Sequence, residues 1–208
     1  MAATQSDLSD LERRAWRYDS QDGIVELLAG FLFLIVARAV VEPQLTWMLA
    51  LAIFPLRFAA KIMKERFSYP RIGYVKLRNE EGANLGRGML TYLVGVVLAV
   101  AVVLLLLGDL TSWAAWLRWM PAIAGGFTSG GFLYVAQRSG LWRFRVLAAI
   151  SVGWGVFCAA WLQAPRMLGV QRWAVGFGTL LLIVGAVTFV NFLRTHPVRD
   201  AEAPDESA

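Results

Sequence analysis

With 208 residues, 58% of them hydrophobic and only 17% charged, the chain is too apolar for a soluble domain of its length. Its mean hydropathy of +0.55 and net charge of +5 point to a bilayer as solvent, with Lys and Arg gathered between the apolar runs. A single cysteine, Cys158, rules out an intramolecular disulfide framework.

Residues 1–22 form an expected cytoplasmic N-terminal segment. They lack the basic start and short apolar core of a secretory signal, so the segment is expected to stay attached. Within it "SDLE", Ser9 to Glu12, has the form of a capping box. Leu8, Leu11, Ala15 and Tyr18 recur at helical spacing with Trp16 beside them, as in a short helix lying in the membrane interface; a frayed soluble helix is the plainer alternative.

Residues 23–193 read as an all-α integral membrane domain, a six-helix transmembrane bundle of antiparallel hairpins. A helix needs about 20 apolar residues to cross roughly 30 Å of hydrocarbon. Six runs approach this, at about 23–41, 45–62, 88–107, 114–136, 143–163 and 172–193. The third contains Met89 to Leu107 without a single charge. Pro121 and the glycines of "AGGFTSGGF" interrupt the fourth, an irregularity that membrane helices tolerate where neighbours re-satisfy the backbone.

Because Lys and Arg are retained on the cytoplasmic side, placing both termini inside leaves sixteen basic residues there and only Arg38, Arg118, Arg166 and Arg172 outside. Trp47, Trp113, Trp116, Trp119, Trp161 and Trp173 then mark the outer headgroup level. Short outer turns, "VEPQ", "GDLTS" and "QAPRMLGVQ", imply three tight hairpins, and no internal repeat is evident. The acidic tail, residues 194–208, has the composition of a disordered cytoplasmic segment.

Charges inside a bilayer are functional candidates by default. Counted from the turn at Pro43, Glu26 lies at about 25 Å and Arg57 at about 21 Å along their helices at a rise of about 1.5 Å per residue, near enough in depth to pair. A structural ion pair is the plainer reading, and a proton or ion relay the sharper one. Arg38 and Glu42 form an i,i+4 pair, and Arg118 among three tryptophans reads as a snorkelling anchor.

In the fourth run Gly126 and Gly130 have small-xxx-small spacing, with Gly125 and Ser129 offset by one position. Close helix packing is the plain reading. The alternative is a discontinuous, pore-lining helix with Thr128 and Ser129 as ligands. Ser129 has no basic partner within the membrane, the lone His196 lies beyond the last run, and no residue group has metal-ligand spacing. No catalytic residue, metal or cofactor is expected.

The cytoplasmic connection, residues 63–87, opens with "ERFSYPRIGYVKLR". From Lys61 to Arg87 it balances seven basic against three acidic residues, a charge suited to anionic headgroups rather than to nucleic acid. Pro70 disfavours helical geometry at Tyr69, so the second helix is expected to stop near Phe67; Gly73 permits a turn.

The stretches "WRYDSQDGIVEL" and "SYPRIGYVKL" resemble an uncharacterised family of small bacterial multi-pass membrane proteins with a Y-P-R-x-G-Y-V segment after the first hairpin. The likeness covers roughly the first eighty residues. The family carries no established activity, so no catalytic role transfers. The resemblance implies a bacterial inner-membrane location and one cytoplasmic-side cluster of Asp22, Glu26, Tyr69, Pro70, Arg71, Gly73 and Tyr74, beside which Arg57 was placed by depth. The expectation is a non-enzymatic scaffold or accessory component touching anionic lipid, a protein partner or further copies of itself. The alternative is a small oligomeric transporter or channel using Glu26 and the fourth run.

Overall fold

The structure is a computed structural model that describes residues 14, 16–18, 20–72, 82–106, 112–161 and 168–197. Gly73, Tyr74, the capping box at Ser9–Glu12 and the side chain of Arg57 lie outside the described residues. Every regular element among those described is helical. In chain order they are α1 (Ile24–Val41), a 3-10 turn (Pro43–Leu45), α2 (Thr46–Met63), a π-helical stretch (Lys64–Ser68), α3 (Tyr69–Ile72), α4 (Gly82–Leu106), α5 (Trp113–Ser139), α6 (Trp142–Ala160) and α7 (Leu168–Thr195).

Three of these are long and apolar enough to cross a membrane: α1, α6 and α7. The segment Leu90–Val102 of α4 adds a shorter apolar helix. At 27 residues α5 has ample length, but its glycines, serines and Arg118 make it less apolar.

Local chemistry sets the helix ends. At the start of α1, Gly23 adopts φ 75°, and the Asp22 carboxylate accepts the Ile24 N–H at 3.1 Å, satisfying one of the free donors of the first turn. At its other end Arg38 pairs with Glu42 at 2.7 Å, as the spacing anticipates. Ser112 caps α5 by accepting the Ala115 N–H at 3.4 Å, and Gly140, at φ 69°, closes it in the left-handed geometry common after helix C-termini. The α5 helix runs unbroken through Pro121 and the glycine cluster, so the discontinuity of the alternative reading is absent.

The tertiary arrangement departs from a row of three sequential hairpins. The two most extensive interfaces are α1 with α7 and α5 with α6; α2 flanks α1, and α4 flanks α5. Glycine decides this. A Cβ on Gly30 would stand 2.8 Å from Gly178 O, and one on Gly23 would stand 2.7 Å from Gly185 O. Both pairs repeat after seven residues on each helix, so two antiparallel backbones approach closely along one seam. In the second pair, a Cβ on Gly125 would lie 2.4 Å from Ser151 O, while one on Gly155 would lie 2.6 Å from Pro121 O. The Ser151 hydroxyl donates back to Gly125 O at 3.0 Å.

Between these pairs sits the apolar core, with Phe132, Phe144, Leu147, Trp173, Phe177 and Leu181 at its centre. Phe33 of α1 meets the rings of Trp173 and Phe177 edge-on at 5.3 and 5.6 Å. Trp173 is thus enclosed by the core and does not present its ring outward. Its Nε1–H donates to Ser151 O at 3.3 Å, which meets the polar requirement that otherwise draws indoles to an interface. Large apolar side chains such as Phe31, Leu51, Phe58, Leu98 and Val187 point outward. Ser129, Ser139 and Ser151 are buried.

Candidate functional site

Two of the charged residues singled out in the sequence, Asp22 and Glu26, lie where α1 begins. Asp22 and Glu26 are one helical turn apart and both are buried. Asp22 accepts hydrogen bonds from Ile24 N and, at 2.7 Å, from the Ser68 hydroxyl of the π-helical stretch. Glu26 is fully buried. Its Oε1 lies 3.0 Å from Arg143 Nε, an ion pair whose N–H does not point along the line between the atoms. The guanidinium of Arg143 also donates through Nη2 to Ser20 O and lies 4.9 Å from the ring centroid of Phe144.

The partner of Glu26 is therefore Arg143, at the start of α6, where depth along α1 and α2 had suggested Arg57. The signal was available. Arg143 opens its helix on the cytoplasmic side of the expected topology, at the level where Glu26 lies about one turn inside α1. Ser20, which accepts through its backbone carbonyl, and Ser68, a short polar side chain, were also missed, since neither gives a periodic signal.

Around this pair, arginines reach across to helix C-termini. Arg71 of α3 donates through Nη1 to Leu193 O at 3.2 Å and to His196 O at 2.9 Å, at the end of α7. Arg17 donates to Ser139 O at 3.3 Å, at the end of α5. Trp16 adds an edge-on contact to Tyr134, with centroids 6.3 Å apart. At the opposite end of the bundle Arg118 does the same for α6, donating to Ala159 O at 3.1 Å and Ala160 O at 3.3 Å. Free carbonyls at a helix C-terminus carry partial negative charge and attract cations, so these residues serve as helix caps.

The second helix does not stop at Phe67. It passes through the π-helical stretch into α3, with Tyr69 helical at φ −62° and ψ −38°. Tyr69 N–H donates to Lys64 O, five residues back, and this wider turn leaves room for the Pro70 ring beside the preceding carbonyls. Phe67 stacks edge-on against Phe189 of α7 at 5.6 Å, so the stretch is packed against the bundle. Tyr69 is half-buried and Pro70 exposed.

The glycine cluster of α5 divides between two neighbours. Gly125 faces α6, whereas a Cβ on Gly126 would meet Val96 at 2.6 Å and one on Gly130 would meet Tyr92 at 2.5 Å, both on α4. The Ser129 hydroxyl lies 2.6 Å from the Tyr92 hydroxyl and donates to Gly126 O at 2.7 Å. Thr128 is half-buried. The cluster thus acts as a packing surface, with Ser129 engaged in holding α4. Among the described residues there is no group of His, Cys, Asp and Glu placed to hold a metal ion, and Cys158 is buried in the apolar core.

No family model matches this chain, and no match was found among curated proteins or solved structures.

Proposed function

We propose that the chain is a multi-pass protein of a bacterial cytoplasmic membrane, a member of the family that its Y-P-R-x-G-Y-V segment resembles. In this reading all six long helices cross the bilayer with both termini cytoplasmic. The protein acts without catalysis, as a scaffold or accessory component whose basic connection, residues 63–87, meets anionic lipid or a protein partner.

One observation carries this reading. The features a transport path would use are occupied from within, Glu26 by Arg143 and the α5 glycines by Val96, Tyr92 and Ser151. Charge faces outward at the start of the connection, where Arg66 is exposed and Lys61, just before it, pairs with Glu65 at 3.7 Å on the surface.

The test is the lipid and protein that co-purify with the chain. Each well-placed Lys or Arg contributes about 1 kcal/mol toward an anionic surface, so neutralising Arg66, Lys76 and Arg78 to Gln removes about 3 kcal/mol. Retained phosphatidylglycerol and cardiolipin should fall several-fold, or a co-purifying protein should be lost. Unchanged lipid and protein content refutes the reading.

A second reading, a small oligomeric transporter or channel, draws on one fact: both carboxylate oxygens of the fully buried Glu26 accept no hydrogen bond among the described residues. It requires Glu26→Gln to abolish a measurable ion or proton flux in vesicles while the protein stays folded. Unchanged flux removes it.

A further inference from the structure

The segment Lys64–Ile72 adopts a conformation that its own sequence opposes. A π-helical stretch is rare and occurs mainly as single turns at functional positions. A residue preceding proline is biased away from the helical region by its clash with the proline ring, yet Tyr69 is helical before Pro70. Left to local preference, the helix would end near Phe67 and Tyr69 would be extended.

Long-range contacts hold the segment otherwise. Ser68 donates to the buried Asp22 at 2.7 Å, Arg71 donates to Leu193 O and His196 O at the end of α7, and Phe67 packs on Phe189. These contacts tie one short stretch to both the first turn of α1 and the last turn of α7. The fit is incomplete, since Arg71 Nε is buried and makes no hydrogen bond among the described residues. Where local preference and tertiary contacts conflict, two arrangements of one segment come close in free energy.

We propose that Lys64–Ile72 is a latch with two states. In the closed state described above, Ser68 and Arg71 clasp the ends of α1 and α7. In the open state those bonds are broken, the helix ends near Phe67, and Tyr69 and Arg71 swing away from the bundle. The latch is the first part of the basic connection, residues 63–87, so its state sets how the rest of that connection leaves the bundle. The proposal concerns conformation alone and does not depend on what the connection binds.

The experiment uses full-length purified protein in detergent micelles, where both faces are accessible and membrane orientation plays no part. Trypsin cleavage after Arg66, read by mass spectrometry over time, reports opening, because a helical, packed site is a poor protease substrate. Maleimide labelling of the buried Cys158 reports whether the bundle remains closed.

The double variant Ser68→Ala, Arg71→Gln should be cleaved after Arg66 at least about tenfold faster than the natural chain, with Cys158 still protected. Adding Pro70→Ala, which removes the local bias against helix at Tyr69, should restore slow cleavage. Pro70→Ala alone should be cleaved more slowly than the natural chain. That variant loses no tertiary bond, so it keeps the test decisive if the double variant exposes Cys158. Faster or unchanged cleavage in Pro70→Ala, or equal cleavage of the natural chain and a double variant with protected Cys158, overturns the latch.

Discussion

Removing Arg143 should destabilise the bundle by several kcal/mol, and removing Glu26 with it should recover much of that loss. The ion pair is asymmetric in its surroundings: the Glu26 side chain is 0% exposed and that of Arg143 is 22% exposed. At an effective dielectric of about 20, two unit charges at this separation attract by roughly 5 kcal/mol, against which the dehydration of the carboxylate takes back several. The net worth of the pair is therefore modest, while an orphaned carboxylate is costly. Arg143→Met should lower stability by about 3–5 kcal/mol, and Glu26→Gln with Arg143→Met should lower it by clearly less, for a coupling of about 1–3 kcal/mol. The assay is a double-mutant cycle in which SDS is titrated into dodecyl maltoside micelles and unfolding is followed by the summed emission of the nine tryptophans, among them the buried Trp173. A coupling within about 0.5 kcal/mol of zero would mean that the two groups do not sense each other, and the reasoning about this site would be wrong.

In the same assay, Gly30→Ala should destabilise by about 1–3 kcal/mol by forcing α1 from α7, as should Gly125→Ala by forcing α5 from α6. Gly95→Ala, where an added Cβ meets nothing within 4 Å, should be neutral or stabilise by up to about 1 kcal/mol; equal losses at all three positions would contradict the seams described above. Tyr92→Phe removes one interhelical hydroxyl contact to Ser129 and should cost about 0.6 kcal/mol, the average for polar contacts between membrane helices, and no more than about 1.7 kcal/mol. A larger cost shared by Leu93→Ala would point to packing instead.

The positions of the six long helices could be read from the chain because an apolar run bounded by charge or a turn leaves little choice of element. The run expected at about 23–41 is α1, Ile24–Val41, and that at about 114–136 lies within α5, Trp113–Ser139. The run expected at about 172–193 is shorter than α7, which begins at Leu168 inside the segment "QAPRMLGVQ" expected as an outer turn. Partners were harder to read than positions. Gly126 and Gly130 announce a close approach by their spacing, but nothing in a single sequence says that α4 makes it while Gly125, one residue earlier, receives α6.

The charged cluster was half legible for a related reason. Burial and depth single out Glu26, whereas the identity of its partner depends on which helices meet. Arg57 and Arg143 lie on different helices at similar expected depth, and the packing of the bundle brings Arg143 to the carboxylate. Pro70 misled because a local steric preference was weighed without the bonds that Ser68 and Arg71 make to distant parts of the chain.

The seam between Gly23 and Gly30 on one helix and Gly178 and Gly185 on the other bears on the order in which the molecule is assembled. The closest companion of α1 is α7, which follows all the other helices described here. During synthesis α1 must wait with its glycine groove open, while α5 and α6, joined by a turn at Gly140, pair as soon as both have emerged. A chain truncated before α7 would therefore retain a folded central hairpin and a first helix without its mate. Closing that groove has to wait until α7 has emerged.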